Sequence, residues 1–252
     1  EPHSFWPHHT VSHVMEMTGR PADGLAWMAA REALWSGPGH TNQVHIWWHK
    51  ALFHLELGEY EAALALYDGP IRATQRPLGN SLTNASALLW RLDTLGCEIG
   101  DRWRELAALW DGHAAGKCLV FTDVHAAMAE LRSGQEARVE QRLAAMRETA
   151  NSDAEAAELY RRVGIPLVEA LAAFHRGAYA TTVELLLRTR FDLWQIGGSH
   201  AQRDVINWTL TEAALRAGQR DVALALAHER LGTRPNSVPN RRFLERAARA
   251  QP

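Results

Sequence analysis

Six glycines punctuate the chain at nearly even intervals. Gly19, Gly58, Gly96, Gly134, Gly177 and Gly218 are separated by 39, 38, 38, 43 and 41 residues. Each follows a segment with helical spacing of apolar residues and precedes another, as in "EYEAALALYDGPI", "VEQRLAAMRETA" and "VINWTLTEAALRAGQRDVALALAHERLG". Glycine permits the left-handed geometry that ends a helix. The repeated unit is therefore two antiparallel helices joined by a tight turn. One such hairpin cannot bury its apolar faces alone, whereas stacked hairpins can. Strand signals are almost absent, so the fold class is all-α.

The unit at 45–68 is the clearest. Leu57-Gly58 closes its first helix, Tyr60 follows, and Ala62, Ala63, Leu66 and Tyr67 face back from the second. This is the small-and-large interlock of a tetratricopeptide repeat, and 167–187 repeats it with Gly177, Tyr179, Val183 and Leu186. The pattern predicts helix pairs at 7–35, 42–72, 83–112, 122–149, 154–190 and 199–231, then a last helix at 238–250. "SGPGHTN", "RPLGNSLTN", "GHAAGKC" and "TRPNSVPN" read as loops between them. "AELYRRVG" adds a helix ahead of Ile165-Pro166 in the fifth unit. Residues 1–252 are expected to form a single repeat domain, an α-solenoid of tetratricopeptide-like hairpins coiling into a right-handed superhelix whose first helices line the concave side. The chain enters the repeat abruptly at "HHTVSHVMEMTG", where a solenoid needs a polar cap. An N-terminal segment or a partner chain covering residues 1–35 is expected there.

Bulk properties narrow the function classes. The formal net charge is −2 and the charges are well mixed, without the basic stripe of a nucleic-acid binder. No run of 18 apolar residues is present, so no membrane span is expected, and "EPHSFWPHHT" lacks the features of a signal peptide. Cys97 and Cys118 make no disulfide framework and suit a reducing compartment, the cytoplasm.

The first helices carry the unusual residues. His9 and His13 form an i,i+4 pair with Glu16 three residues on; His45 and His49 form another, beside Trp47 and Trp48. Residues four apart share a helical face. Trp90, Asp123, His125, and the run His200, Gln202, Arg203, Asp204 occupy the first helices of later units. In a stacked array these side chains converge on one apolar concavity with polar groups, the usual form of a small-molecule pocket. Trp47, Trp48, Trp90 and Trp208 would wall it. His13, His49, His125, His200 and Asp204 are the catalytic candidates; His9, Glu16, His45, Trp48, Trp90, Asp123, Gln202 and Arg203 are the ligand-binding candidates; His45, His49 and His200 are the candidate ligands of a divalent metal.

Plainer roles compete with these. His3, His8, His40, His113, His175 and His228 read as packed or surface residues, and His54, off the His45/His49 face, as buried between helices. Thr122 or Asp123 fits a helix N-cap. Ser199 and Gln202 fit a capping box. Tryptophan at helical spacing is more often core than ligand wall.

At "HTVSHVMEMTGR", "HIWWHKALFHLELGEYEAALALYD", "ALLWRLDTLG", "FTDVHAAMA" and "IGGSHAQRDV", in that order from residue 9 to about 215, the sequence resembles the tetratricopeptide repeat protein 38 family. The resemblance implies a longer α-helical repeat protein with further helices before His9, and carries over His9, His13, Glu16, His45, Trp48, His49, His54, Trp90, Asp123, His125 and Ser199 through Asp204. Ile46 stands where the family form has Asn, and Asn84 where it has Asp. The resemblance implies a fold and a pocket but no established reaction.

Three functions stay open. One is a metal-dependent or acid–base enzyme, in which a metal activates water or polarises a carbonyl, or His acts with an orienting carboxylate and Glu16 is a candidate base. No P-loop, GxGxxG, CxxC or nucleophile elbow is present. The second is a non-catalytic binder of a small aromatic or anionic molecule, with Arg20, Arg91 and Arg203 available to a carboxylate. The third is a protein–protein interaction scaffold, which would want Lys, Arg and Asn where these helices carry His, Trp and Asp.

Overall fold

The computed structural model describes residues 4–37, 42–72, 79–117 and 119–250. His3, His40 and Cys118, and parts of the two loops after residues 37 and 72, lie outside the described residues. The described residues are helical, with no strand among them.

The helices are α1 (Phe5–Met17), α2 (Pro21–Ala29), α3 (Glu32–Trp35), α4 (Gln43–Leu57), α5 (Tyr60–Leu66), α6 (Gly79–Thr94), α7 (Arg102–Trp110) and α8 (Val120–Arg132). They continue as α9 (Glu136–Ala150), α10 (Ala157–Leu159), α11 (Ile165–His175), α12 (Tyr179–Thr189), α13 (His200–Arg216), α14 (Arg220–Thr233) and α15 (Val238–Arg249). A wide turn at Tyr160–Gly164 joins α10 to α11, which is the irregularity expected ahead of Ile165-Pro166.

All six repeat glycines have positive φ, from 64° at Gly19 to 85° at Gly96. Around Gly58 the Glu59 N–H donates to the His54 carbonyl at 2.9 Å, the long-range bond of a Schellman cap. The same bond recurs as Arg20 to Met15, Cys97 to Leu92, Gln135 to Glu130, Ala178 to Ala173 and Gln219 to Ala214, at 2.8 to 3.0 Å. One chemical device thus stops the first helix of each pair.

The two helices of a pair differ in burial. Every residue from Ser81 to Leu92 of α6 is buried, and α8 and α13 are nearly as enclosed. Their partners α7, α12 and α14 bury one stripe each. A helix apolar on one stripe faces solvent on the other, whereas one enclosed all round sits in the interior. Residues 79–84, which the sequence suggests are loop, form the first turns of α6. Their Ser, Thr and Asn side chains favour turns in isolation, but burial of this segment against its neighbours overrides that tendency.

The sixth hairpin returns to the first units. Helix α13 packs against α6 and α1, and α15 packs against α4. Trp90 donates its indole N–H to Thr209 at 2.9 Å, and Trp208 donates to Thr94 at 2.9 Å. Arg91 reaches the Ala201 carbonyl at 3.0 Å, and Asn236 reaches the Gly19 carbonyl at 3.0 Å. Trp90 and Trp208 are therefore core residues that tie helices together, not walls of an open pocket. Residues Trp6, Val14 and Met17 of α1 stay exposed, at 67%, 49% and 60%. No helix among the described residues is long and apolar enough to cross a membrane.

Two glycines separate backbone strain from packing. Replacing Gly96 by Ala adds left-handed strain of about 1–2 kcal/mol, with no described atom within 4 Å of the added Cβ. At Gly116, φ +66°, the same change also places Cβ 2.5 Å from the backbone of Ala145 and Met146. Urea denaturation should show clearly greater loss for Gly116→Ala than for Gly96→Ala. Equal losses would contradict the packing of this loop on α9.

Candidate metal centre

Helix α1 presents His9 and His13 one turn apart, and α4 presents His45 and His49 in the same way; the two helices pack together. One nitrogen from each of the four rings lies within 4.8 Å of the other three. His9 Nε2 is 2.9 Å from His13 Nε2 and 3.0 Å from His45 Nε2. The His49 ring centroid stands 4.4 Å from that of His13 and 4.7 Å from that of His45. A tetrahedral ion with bonds of about 2.0–2.1 Å holds its nitrogens roughly 3.3 Å apart, so the closest pairs would open slightly and the wider ones, within 4.8 Å, would close to admit one.

His49 is fully buried, and neither of its ring nitrogens has a hydrogen-bond partner. Buried polar atoms without partners are rare, and an ion is one of the standard reasons for them. Trp48 stacks on His45 with centroids 5.4 Å apart and planes 14° off parallel, which fixes that ring from below.

A second layer sets the tautomer. The Asn84 side-chain oxygen accepts from Gln202 Nε2 at 3.3 Å and lies 3.2 Å from His45 Nδ1. That oxygen cannot donate, so the His45 proton sits on Nδ1 and the Nε2 lone pair faces the quartet. Such outer partners orient metal-binding imidazoles. Gln202 also caps α13: its side-chain oxygen accepts from the Ser199 N–H at 2.9 Å. One side chain thus serves both the helix end and the centre.

Burial, with a smaller effect from its neighbour His13, lowers the His9 pKa to about 4. Burial and then His9 lower that of His45 to about 4. His49 is held well below its usual value by burial and then by His45, and burial also lowers His13, against the attraction of Glu16. The four rings are neutral at pH 7, with lone pairs available.

The remaining predicted residues are distributed differently. His200 is outside the quartet. It begins α13, is about half exposed, and points Nδ1 at Glu16 Oε1 from 3.8 Å. The expected trio of His45, His49 and His200 is therefore replaced by a quartet in which His9 and His13 stand beside His45 and His49. Shared helical phase put His200 on the right face, but its place at the tip of α13 leaves it at the rim. Glu16 pairs with Arg234, and its Oε2 has no partner. Burial raises the Glu16 carboxyl, but His200 and Arg234 outweigh it and the net shift is downward.

Asp204 is held by Arg230 at 2.8 and 3.1 Å, by Arg234 at 3.2 Å and by Arg91 at 3.5 Å. A carboxylate so engaged neutralises guanidinium charge and has little capacity left for a proton. Asp123 is likewise spent, accepting from Gly116 N at 2.8 Å, Arg142 at 2.6 Å and Tyr160 at 3.0 Å. It is not an N-cap; Leu119 occupies that position. His125 is buried and donates from Nδ1 to the Phe121 carbonyl at 2.7 Å. Arg203 bonds the Gly197 and Gly198 carbonyls, and Arg20 pairs with Asp23 on the surface. With Arg91 on Asp204 as well, none of the three arginines proposed for a ligand carboxylate is free of protein partners. His54 is partly exposed and pairs with Glu59 at 2.6 Å, so it is not sealed between helices.

Sequence reasoning missed Arg234 altogether. Its partner Glu16 lies 218 residues away, and no local pattern marks such a pair. Beside the quartet, Phe5, Trp6, His9, Asn42, His45, Asn80, Asn84 and Gln202 line an open groove of about 180 Å³. A more enclosed cavity, lined by Glu16, Glu56, Arg91, Asp204 and Arg234 among others, also borders Glu16. The groove, which includes His9 and His45, is the one that adjoins the chemistry. No known family model and no solved structure matches the chain.

The buried imidazoles set a pH dependence for metal-free protein. In the unfolded chain they take up protons near pH 6.5, whereas His9, His45 and His125 in the folded chain do so only near 4. Between these values the unfolded state binds more protons, so stability is full above about 6.5 and falls as pH drops toward 4. The urea midpoint should fall steadily across that window, before carboxylates such as Asp204 protonate. A midpoint constant from pH 7 to 4 would contradict buried, neutral rings.

Proposed function

We propose that this chain is a tetratricopeptide-like helical-repeat protein, one domain of stacked hairpins in a right-handed superhelix. In this reading it holds a divalent transition metal on His9, His13, His45 and His49 beside a small-molecule groove. The observation that carries the proposal is His49, sealed from water with both ring nitrogens unpartnered among three other neutral imidazoles.

The donor set limits the ion. Four imidazoles without thiolate suit zinc, copper, nickel or iron, whereas calcium and magnesium want oxygen. Four imidazoles fill a tetrahedral shell, so Lewis acidity toward water or a substrate carbonyl would require a fifth coordination position at the ion. Hydrolytic or acid–base chemistry would follow from that, with the half-exposed His200 at the rim as the group placed to move a proton, since Glu16 beside it is engaged by Arg234. Among the positions that carry the resemblance to the tetratricopeptide repeat protein 38 family, His9, His13, Glu16, His45, Trp48 and His49 lie in or against this centre, whereas Trp90, Asp123 and His125 serve the helix core. A second reading, an interaction scaffold, is favoured by the exposed Trp6, Val14 and Met17 on α1.

Elemental analysis of purified protein should give near one zinc, copper, nickel or iron per chain. His49→Ala should keep the far-ultraviolet helical signal and lower metal affinity by more than about 100-fold, beyond the effect usual for an outer-layer residue. Asn84→Leu, which removes the partner of His45, should lower it about 10–100-fold. Protein that is metal-free as isolated and takes up none of these ions on addition would overturn the proposal.

A further inference from the structure

The groove beside the quartet has an electrostatic character that its uncharged side chains conceal. Helices α1, α4, α6 and α13 begin at Phe5, Gln43, Gly79 and His200, and each supplies groove residues from, or next to, its N-terminal turns. Helix N-termini carry partial positive charge, which acidic side chains in the first turn usually offset. None of these four helices has an acidic residue in its first turn. Among the described residues, the groove lining contains no Asp, Glu, Lys or Arg. The buried carboxylates on α1 and α13, Glu16 and Asp204, are committed to Arg234 and Arg230.

The quartet adds to this. Four neutral imidazoles leave the charge of a divalent ion uncompensated, and a buried charge without a counter-charge is costly. The compensating group must come from outside the ligand set, and the groove that includes His9 and His45 is open to it. Asn42 and Asn80, bonded to each other at 3.2 Å and exposed, offer amide donors, while Phe5 and Trp6 offer an apolar surface.

Resting on the metal reading above, we propose that the groove binds an oxyanion, the carboxylate or phosphate group of a small molecule, as the charge partner of the metal. The anionic group sits toward the convergent helix N-termini and the ion. The apolar part of the molecule packs on Phe5 and Trp6. The substrate class is thus a small carboxylic acid or phosphate ester with a flat apolar portion.

The test uses full-length protein loaded with cobalt(II), whose visible absorption reports the coordination shell. Benzoate and phenyl phosphate serve as probes, with benzamide as the uncharged control. The expected result is a saturable spectral change with one or both anions and none with benzamide. The anion saturating at the lower concentration identifies the preferred class. Asn80→Asp, compared at equal cobalt content, should weaken anion binding at least tenfold, as should raising the salt concentration if the helix termini contribute. Bound cobalt whose spectrum ignores both anions, or responds equally to benzamide, overturns this inference and leaves the metal centre standing. Failure to bind cobalt or any other transition metal overturns both.

Discussion

Arg234 lies between two carboxylates from opposite ends of the chain. Glu16 comes from the first helix and Asp204 from the sixth hairpin, and all three side chains are at least nine-tenths buried. Arg230 and Arg91 complete the cluster around Asp204. A buried ion pair adds little over a well-packed apolar replacement, but removing one partner costs about 3–5 kcal/mol because the other is stranded. The cluster therefore acts less as glue than as a registration device. Through it α1, which carries His9 and His13, is tied to α13 and to the end of α14.

The quartet is in turn a product of enclosure. Four imidazoles in water repel one another once protonated and drift apart. Here packing denies them solvent, so they stay neutral and close. Trp48 beneath His45 and Asn84 behind it leave the ring little freedom. Preorganisation of this kind comes from helix packing, because the four rings ride on two rigid elements and not on loops.

Much of the architecture was legible from local signals. The glycines and the apolar periodicity reach only a few residues along the chain, and so do the caps they encode; helix positions follow from them. The i,i+4 histidine pairs were legible for the same reason. Which pairs would meet was not. Helical phase tells which face a residue occupies but not how far along a neighbouring helix it lands, so His200 was grouped with His45 and His49 although it sits at the rim beside Glu16. Asp123 and Asp204 looked available because their arginine partners, Arg142 and the group at Arg91, Arg230 and Arg234, lie on other helices. Trp90 and Trp208 looked like pocket walls until the return of α13 onto α6 put them in the core. The helical start of α6 was hidden because its Ser, Thr and Asn residues signal a turn when considered alone.

The quartet has an asymmetry along the chain. All four ring donors lie between residues 9 and 49, whereas the arginine that fixes the first helix is residue 234. During synthesis, about 5–20 residues emerge each second. On that clock the complete donor set precedes Arg234 by roughly ten seconds or more. The four rings are therefore synthesised, and exposed to solvent ions, well before the arginine that encloses the first helix exists.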